Sequence, residues 1–339
     1  MTSASPPPVD LRDFKSVLVV KPSSLGDIVH TLPAARLIKR AHPHLKLRWI
    51  ANSEWTPLID GCPFVDEVIA FPRKEFRGVA GGLRSLAWAA QWNRTARETP
   101  EIVLDFQGLL RSGSISFTRG SDWIVGMSDA REGAAGFFDQ VVPVDPLAHA
   151  VDRYLEIVRA LGIEFGADDV VFDLPEGAAP SDFDATQSFA LLHPYSRGEG
   201  KALDPSVLQT LCDGLTSVRV VIVGVADLAP VVRGAHVIDL TNRTTLPELI
   251  WLMRHARACV SVDSGPMHIA AAVNDRTLGI HTWTDPRKVG PYNSRAWVWK
   301  ASRIAHRTDF SDAECMAEAR VLEPEASRIA DFVIGTMMA

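Results

Sequence analysis

Two Rossmann-like α/β domains facing across a cleft are the fold class this sequence predicts, and three observations carry the prediction. Short apolar runs alternate with helical stretches through both halves of the chain, the pattern of parallel sheets covered on both faces. The alternation lapses once, over residues 166–188, where Pro175, Gly177, Ala178, Ala179, Pro180 and Asp182 read as a linker, and then restarts. The chain of 339 residues is long enough for two such domains. The expected organisation is residues 1–175 as the first domain, 176–188 as linker and 189–322 as the second domain. A terminal helix over 323–339 is expected to cross back to the first domain, by analogy with this architecture.

Taken in order, residues 16–21 form a buried strand, 22–27 a loop, and a helix runs on to about residue 40. Pro33 inside that helix predicts a kink or a late start. Strands follow at 45–51 and 67–71, then a mostly helical segment over 76–97 that Gly78, Gly81 and Gly82 break early. Residues 101–105 are a strand, 108–118 a helix, 123–126 a short strand and 147–161 an amphipathic helix. In the second half, 189–193, 218–224, 236–240, 258–262 and 277–281 read as strands with helices between them. The terminal segment 324–338 is helical, with Ile329, Phe332 and Val333 on one face.

Composition removes several classes of function. A net charge of −6 argues against a general nucleic-acid binder, so an acidic partner would need a local basic patch. Cys62, Cys212, Cys259 and Cys315 are far apart, with neither metal-ligand nor redox spacing, and a reducing compartment fits them. The first ten residues hold three prolines and no apolar core, unlike a signal peptide, and no run approaches a membrane span. The expectation is a cytoplasmic protein, peripheral at the inner membrane if it touches one. No G-x-G-x-x-G follows the first strand and no Walker loop is present, which weakens a dehydrogenase or NTPase reading.

The stretch with most chemical content is 260–273, Val-Ser-Val-Asp-Ser-Gly-Pro-Met-His-Ile-Ala-Ala-Ala-Val. A strand ends at Val262 and a helix begins near Pro266, with Ser264 or Asp263 able to cap it. Backbone amides of residues 265–268 then point off the sheet edge, the arrangement that binds anions, with His268 as a further donor. Open α/β sheets carry ligands beyond the carboxyl ends of their strands, and two more loops lie there. In Lys21-Pro-Ser-Ser-Leu-Gly-Asp-Ile-Val-His30, Asp27 at the helix entrance can accept a proton from a hydroxyl, or merely answer the helix dipole. His30, one turn on, either orients that carboxylate or packs in the helix. In His193-Pro-Tyr-Ser-Arg-Gly-Glu-Gly-Lys201, Ser196, Arg197 and Lys201 are donors for a diphosphate, or a solvated basic loop. Arg73, Lys74, Arg77, Arg84, Arg111 and Arg131 are candidates for carboxylate or phosphate groups, though at least half of such charges are ordinary surface. Trp88 and Trp92, four apart on a helix, read as core.

The run Ser23-Ser-Leu-Gly-Asp-Ile-Val-His-Thr-Leu-Pro-Ala34 resembles the first loop and helix of the lipopolysaccharide heptosyltransferases, glycosyltransferase family 9. Val262-Asp-Ser-Gly-Pro-Met-His-Ile-Ala-Ala-Ala272 and Thr284-Asp-Pro-Arg-Lys-Val-Gly-Pro-Tyr292 resemble that family's donor-site signature. Leu104-Asp-Phe-Gln-Gly-Leu-Leu-Arg-Ser112, Asp129-Ala-Arg-Glu-Gly133 and His149-Ala-Val-Asp-Arg153 are similar to the heptosyltransferase I branch. The resemblance implies a GT-B type fold with the acceptor in the first domain and the nucleotide-sugar in the second. It implies inverting transfer of a heptose from ADP-heptose to the inner-core (Kdo) region of a lipid A acceptor. Asp27 matches the catalytic base and Lys201 the donor-phosphate lysine. Ser196, Arg197, Thr244, Asp263, Ser264, Gly265 and His268 fall at the donor site, and Ser24, Gly26, Gln107, Arg111 and Arg131 at the acceptor site. Asp263 either caps the helix or accepts from a ribose or sugar hydroxyl. ADP-heptose enters as co-substrate with no tightly bound cofactor and no metal. The partners implied are this nucleotide sugar and an anionic glycolipid, with transient contact at the inner face of the cytoplasmic membrane and no nucleic acid.

The chain departs from the family pattern around the donor. Lys201 stands one residue farther from Arg197, and no tryptophan follows it, so Arg197 shares its role. Val225 and Ala226 replace a ribose-binding glutamate, with Asp227 next; Asn242-Arg243-Thr244 replaces Gly-Lys-Thr; and His281-Thr282-Trp283 precedes Thr284 where glycine is usual. These differences leave two other readings: a family 9 enzyme with another nucleotide sugar or a protein acceptor, or a non-catalytic nucleotide-sugar-binding relative. Retention of Asp27 and of the donor turn speaks against the last.

Overall fold

The computed structural model describes residues 9–76, 84, 87, 88, 91, 92, 99–181, 183, 184, 186–227 and 231–339. Arg77, Gly78, Gly81 and Gly82, and with them most of the helix expected over 76–97, lie outside the described residues. The chain divides into two compact units, Met1–Asp173 and Leu174–Ala339, so the break falls two residues before the expected end of the first domain.

In the first unit, β1 (Ser16–Val20), β2 (Lys46–Asn52), β3 (Glu67–Phe71), β4 (Glu101–Asp105), β5 (Trp123–Met127) and β6 (Gln140–Val142) form one parallel sheet in the order β3-β2-β1-β4-β5-β6. Strands β1 and β4 are buried along their whole length, as apolar runs covered on both faces must be. Its helices include α1 (Leu25–Ala41), α2 (Leu110–Thr118) and α3 (Ala150–Ala160). Helix α1 begins before Asp27, not after it. Pro33 lies within the helix, so the late start is ruled out; the chain continues through it with Thr31, Leu32, Ala34 and Ala35 buried around it. Trp88 and Trp92 stack at 5.4 Å and pack with Phe71 and Phe76, the core role expected of them.

A buried charge cluster closes the amino end of this sheet. Glu101, fully buried, accepts from Arg48 Nη1 at 3.1 Å and from Arg119 Nε at 3.0 Å, and Arg48 also reaches Glu67 at 3.0 Å. Charges out of water survive only when paired in this way.

In the second unit, β7 (Phe189–His193), β8 (Arg219–Ile222), β9 (Val237–Asp239), β10 (Ala258–Val262), β11 (Thr277–Ile280), β12 (Trp297–Lys300) and β13 (Arg303–Ala305) form a sheet ordered β13-β12-β11-β10-β7-β8-β9. All neighbours are parallel except β12 and β13. Its helices are α4 (Pro205–Gly214), α5 (Leu246–His255), α6 (Gly265–Val273), α7 (Pro286–Val289), α8 (Asp312–Met316) and α9 (Glu323–Phe332).

Strands β6, β12 and β13 have no counterpart in the sequence reading. Two are only three residues long, and the β12–β13 hairpin turns through Ala301 and Ser302, both at positive φ, instead of the Asn-Gly type that announces such a turn. The apolar face of the terminal helix packs within the second unit. Ala326, Ile329, Ala330, Val333 and Met337 are buried in the core of the second unit with Leu208, Leu211 and Cys212 of α4, so the apolar face of α9 is spent within this unit. The linker expected over 176–188 likewise begins against α5, with Ala178 N donating to Pro247 O at 3.1 Å.

Candidate active site

In the first unit the chain leaves β1 at Val20, crosses four residues and enters α1 with Ser24 in the capping position. Asp27 Oδ2 accepts from Ser24 N at 3.0 Å and Ser24 Oγ at 2.8 Å, the backward reach of a third-position carboxylate. Asp27 thus answers the helix terminus, and it is half-buried on the wall of a cavity of about 360 Å³. Lys21, Gln107, Arg131, Arg153 and Tyr154 stand on the same wall.

Lys21 is almost fully buried. Its ammonium donates to Phe106 O at 2.9 Å and lies 4.9 Å from the centre of the Tyr154 ring. Burial opposes its charge, but Tyr154, Asp27 and Asp105 outweigh burial and raise its pKa. A fixed cation thus accompanies the carboxylate of Asp27. Gln107 holds the loop from the β4 side, accepting from Ser23 N at 3.1 Å through Oε1. Asp105, buried behind it, accepts from Gln107 N and Gly108 N, each at 2.9 Å; burial pushes its carboxyl up to about 6. Gly108, at φ +63, is needed for close approach, since a Cβ there would stand 3.2 Å from Ala130 Cα. Arg131 N donates to Gly108 O at 2.8 Å, which brings the 129–133 motif to the cavity, and Arg153 pairs with Asp129 there.

Of the acceptor candidates, then, Gln107 and Arg131 line the cavity with Asp27, Ser24 caps its helix, and Gly26 is buried in the first turn. Arg111 is exposed on α2 and is not among the lining residues. Arg73, Lys74 and Arg84 are exposed, and Lys74 pairs with Glu54 at 3.5 Å. His30 is buried, its ring meeting that of His149 edge-on at 5.0 Å. The sequence reading missed Lys21, Arg153 and Tyr154 as lining residues. Lys21 and Arg153 were already inside quoted motifs, and that was the available signal.

In the second unit the loops after β7 and β10 meet. Lys201 Nζ donates to Asp263 Oδ2 at 2.5 Å and sits 4.6 Å from the centre of the Trp283 ring. Thr284 Oγ1 donates to the same carboxylate oxygen at 2.7 Å, and His281 Nδ1 lies 2.9 Å from Thr284 Oγ1. Burial pushes the Asp263 carboxyl up, but His281, Lys201 and Thr284 together hold it below its ordinary range. Ser196 Oγ donates to Asp263 O at 3.4 Å, while Arg197 is exposed at the loop tip.

The expected capping is corrected here. Ser264 occupies the capping position of α6 without a capping side-chain bond; its hydroxyl faces Val262 O at 3.1 Å and His193 Nδ1 at 3.3 Å. Asp263 does not cap either, because its carboxylate is committed to Lys201 and Thr284. Gly265 opens α6 and His268 is buried in its first turn. Thr244 is half-buried ahead of α5, where Thr245 is the capping residue. Asn242 latches the loop after β8, accepting from Ala226 N at 3.0 Å and donating to Ala226 O at 2.7 Å, with Val225 and Asp227 exposed. Lys300, wholly buried, was also missed: its ammonium donates to Thr282 O at 3.1 Å and Ala317 O at 2.5 Å, which fixes the loop bearing Trp283 and Thr284. A larger hollow of about 660 Å³, lined by Arg254, Asn274, Arg276, Arg295 and Trp297, opens at the opposite end of this sheet, where open α/β sheets do not carry their ligands.

Among the described residues, no group of three His, Cys, Asp or Glu side chains is placed to hold a metal, and no helix is long and apolar enough to cross a membrane. All four cysteines are free and buried.

Residues 89–319 match the sequence profile of glycosyltransferase family 9 (heptosyltransferase). The chain is 28% identical over 329 residues to lipopolysaccharide heptosyltransferase 1 of Pseudomonas aeruginosa, covering 91% of this chain and 88% of that one. It is 24% identical over 312 residues to lipopolysaccharide heptosyltransferase 1 of Escherichia coli, covering 85% and 94%. Among solved structures, the fold is similar to that of the E. coli heptosyltransferase WaaC with ADP, at TM-score 0.74 and 22% identity over 94% of this chain and 99% of that one. It is also similar to E. coli ADP-heptose lps heptosyltransferase II, at TM-score 0.73 and 19% identity over 95% and 98%.

Proposed function

Because this chain belongs to glycosyltransferase family 9, we propose that it transfers a heptose from ADP-heptose to the inner-core (Kdo) region of a lipid A acceptor, with inversion at the anomeric carbon. The observation that carries this reading is the position of Asp27: a carboxylate fixed by its own helix terminus, on the wall of a cavity that also presents Lys21, Arg131 and Arg153. Those cations suit an acceptor bearing carboxylate and phosphate. Asp27 takes the proton of the attacking hydroxyl as that oxygen bonds to the anomeric carbon from one face. The bond to the diphosphate breaks on the other face, and the nucleoside diphosphate leaves with the electron pair. Lys201, with Arg197 beside it in the loop, and the uncapped start of α6 stabilise the negative charge that grows on this leaving group.

The two carboxylates at the strand ends are not interchangeable in this scheme. Asp263 is ion-paired and holds Lys201, so the base is Asp27. Asp263 contributes by keeping the lysine at the donor turn rather than by capping the helix. A cytoplasmic enzyme that touches the inner leaflet while it meets its glycolipid follows from the same reading.

The test is transfer itself. Incubating the protein with ADP-heptose and Kdo-bearing lipid A should yield a heptosylated lipid by mass spectrometry, with inverted anomeric configuration by NMR. No product, or retained configuration, sinks the proposal. A second reading, another nucleotide sugar, is favoured by the loop after β8, which offers exposed Val225 and a latched Ala226 where a ribose-binding carboxylate was expected. Calorimetric titration with ADP, CDP, GDP and UDP decides between them, since preference for a base other than adenine selects the second.

A further inference from the structure

Lys201 is carried on a loop that needs help to stay in place. It lies at the end of Gly198-Glu199-Gly200, Gly200 adopts φ +71, and the lysine's own amide bonds Gly198 O at a long 3.3 Å. Ordering a lysine side chain costs conformational entropy. Yet its ammonium is placed between two partners, Asp263 Oδ2 and the face of Trp283. Trp283 grips the loop a second time, because its indole N–H donates to Glu199 O at 3.3 Å. The residue is 48% exposed, so it is not there to fill a core. Its own loop is rigid: Thr282 O accepts from buried Lys300 and from Ala319 N at 3.0 Å, and Thr284 is bonded to Asp263.

We propose that Trp283 is a positioning residue for the donor: its ring holds the Lys201 ammonium, and its N–H fixes the loop that bears it, so the lysine meets the diphosphate already ordered. A cation over an indole face keeps its charge while losing freedom, and a partner ordered in advance binds more tightly. The inference rests on the reading of Lys201 as the donor-phosphate lysine.

Calorimetric titration with ADP of the wild type, Trp283→Ala, Trp283→Phe, Lys201→Met and the double variant Trp283→Ala/Lys201→Met tests it. Trp283→Ala should weaken ADP binding about three- to tenfold with an unchanged melting temperature. Trp283→Phe, which keeps a ring but loses the N–H, should recover most of the loss. In the Lys201→Met background, Trp283→Ala should change nothing further. The inference is overturned if Trp283→Ala binds ADP as the wild type does, if phenylalanine rescues nothing, if the melting temperature falls in step with affinity, or if the loss persists without the lysine, which would mean that the ring contacts the nucleotide directly. Should Lys201→Met itself bind ADP normally, the reading of Lys201 fails and the inference with it; a weakened Lys201→Met beside a normal Trp283→Ala removes the inference alone.

Discussion

The two units repeat one sheet. Read outward from β1, the first runs β1-β2-β3 on one side and β4-β5-β6 on the other; read outward from β7, the second runs β7-β8-β9 and β10-β11-β12, with β13 added at the edge. In each, the residues of interest leave the two central neighbouring strands where the order reverses, the crevice where open α/β sheets hold ligands. Asp27 follows β1 and Gln107 follows β4; Lys201 follows β7 and Asp263 follows β10. What differs is how each crevice treats its lysine and carboxylate. In the first, Lys21 is held by Phe106 O and the Tyr154 ring, and Asp27 takes its hydrogen bonds from Ser24. In the second, lysine and aspartate close on each other at 2.5 Å. The same scaffold thus leaves a carboxylate on a cavity wall in one unit and ties a carboxylate to a cation in the other.

Substitutions on each side can break or sharpen that contrast. The largest effect should come from Asp27→Ala, which should lower kcat by about 10²–10⁴ and leave ADP affinity within about twofold, because the residues proposed to hold the donor lie in the other unit. Retained turnover would erase the distinction between the carboxylates. Next, Glu101→Ala should destabilise the first unit by about 3–5 kcal/mol, since it leaves Arg48 and Arg119 buried without their shared partner. Chemical denaturation should then show the first unit unfolding earlier while the second keeps its midpoint.

The units should also answer acid differently. Burial holds His193, which lies beside Ser261 and Ser264, down at about 4. A histidine depressed in the folded state is neutral there while the unfolded chain takes up a proton. Its contribution is therefore complete above about pH 6.5 and is lost as pH falls toward about 4, at roughly 1.4 kcal/mol per pH unit. Asp105 in the first unit has the opposite sign: raised to about 6, it costs stability as pH climbs through that value. Denaturation midpoints between pH 7 and 4 should fall less for His193→Gln than for the wild type, and an equal fall would overturn the assignment. The smallest effect should follow Asp263→Asn. It keeps a polar partner for Thr284 but frees the lysine, and should change ADP affinity by no more than about tenfold, the upper end of the net contribution of an ordinary hydrogen bond. A collapse of turnover as deep as that of Asp27→Ala would mean that both carboxylates do chemistry.

Much of this was legible in residue order. Strand β10 reads from its apolar run and the turn into α6 from Ser264-Gly265-Pro266, because these signals act over a few neighbours, whereas the start of α1 was placed after Asp27 instead of at Leu25. The β12–β13 hairpin was not legible, since its turn at Ala301-Ser302 takes a positive φ that those residue types do not announce.

Sequence by itself determined the alternation that makes two parallel sheets, and hence which loops lie at their carboxyl ends. Only tertiary structure decided what those loops do with their charges. That Lys201 spends its ammonium on Asp263 and Trp283 depends on three segments far apart in the chain and joined through neighbouring strands. That Lys21 is drawn into the wall near Asp27, with Phe106 O and the Tyr154 ring as its contacts, depends on β4 and α3 arriving beside it. A charge's partner is set by distances of a few ångströms, and those exist only once the sheet has brought distant segments side by side.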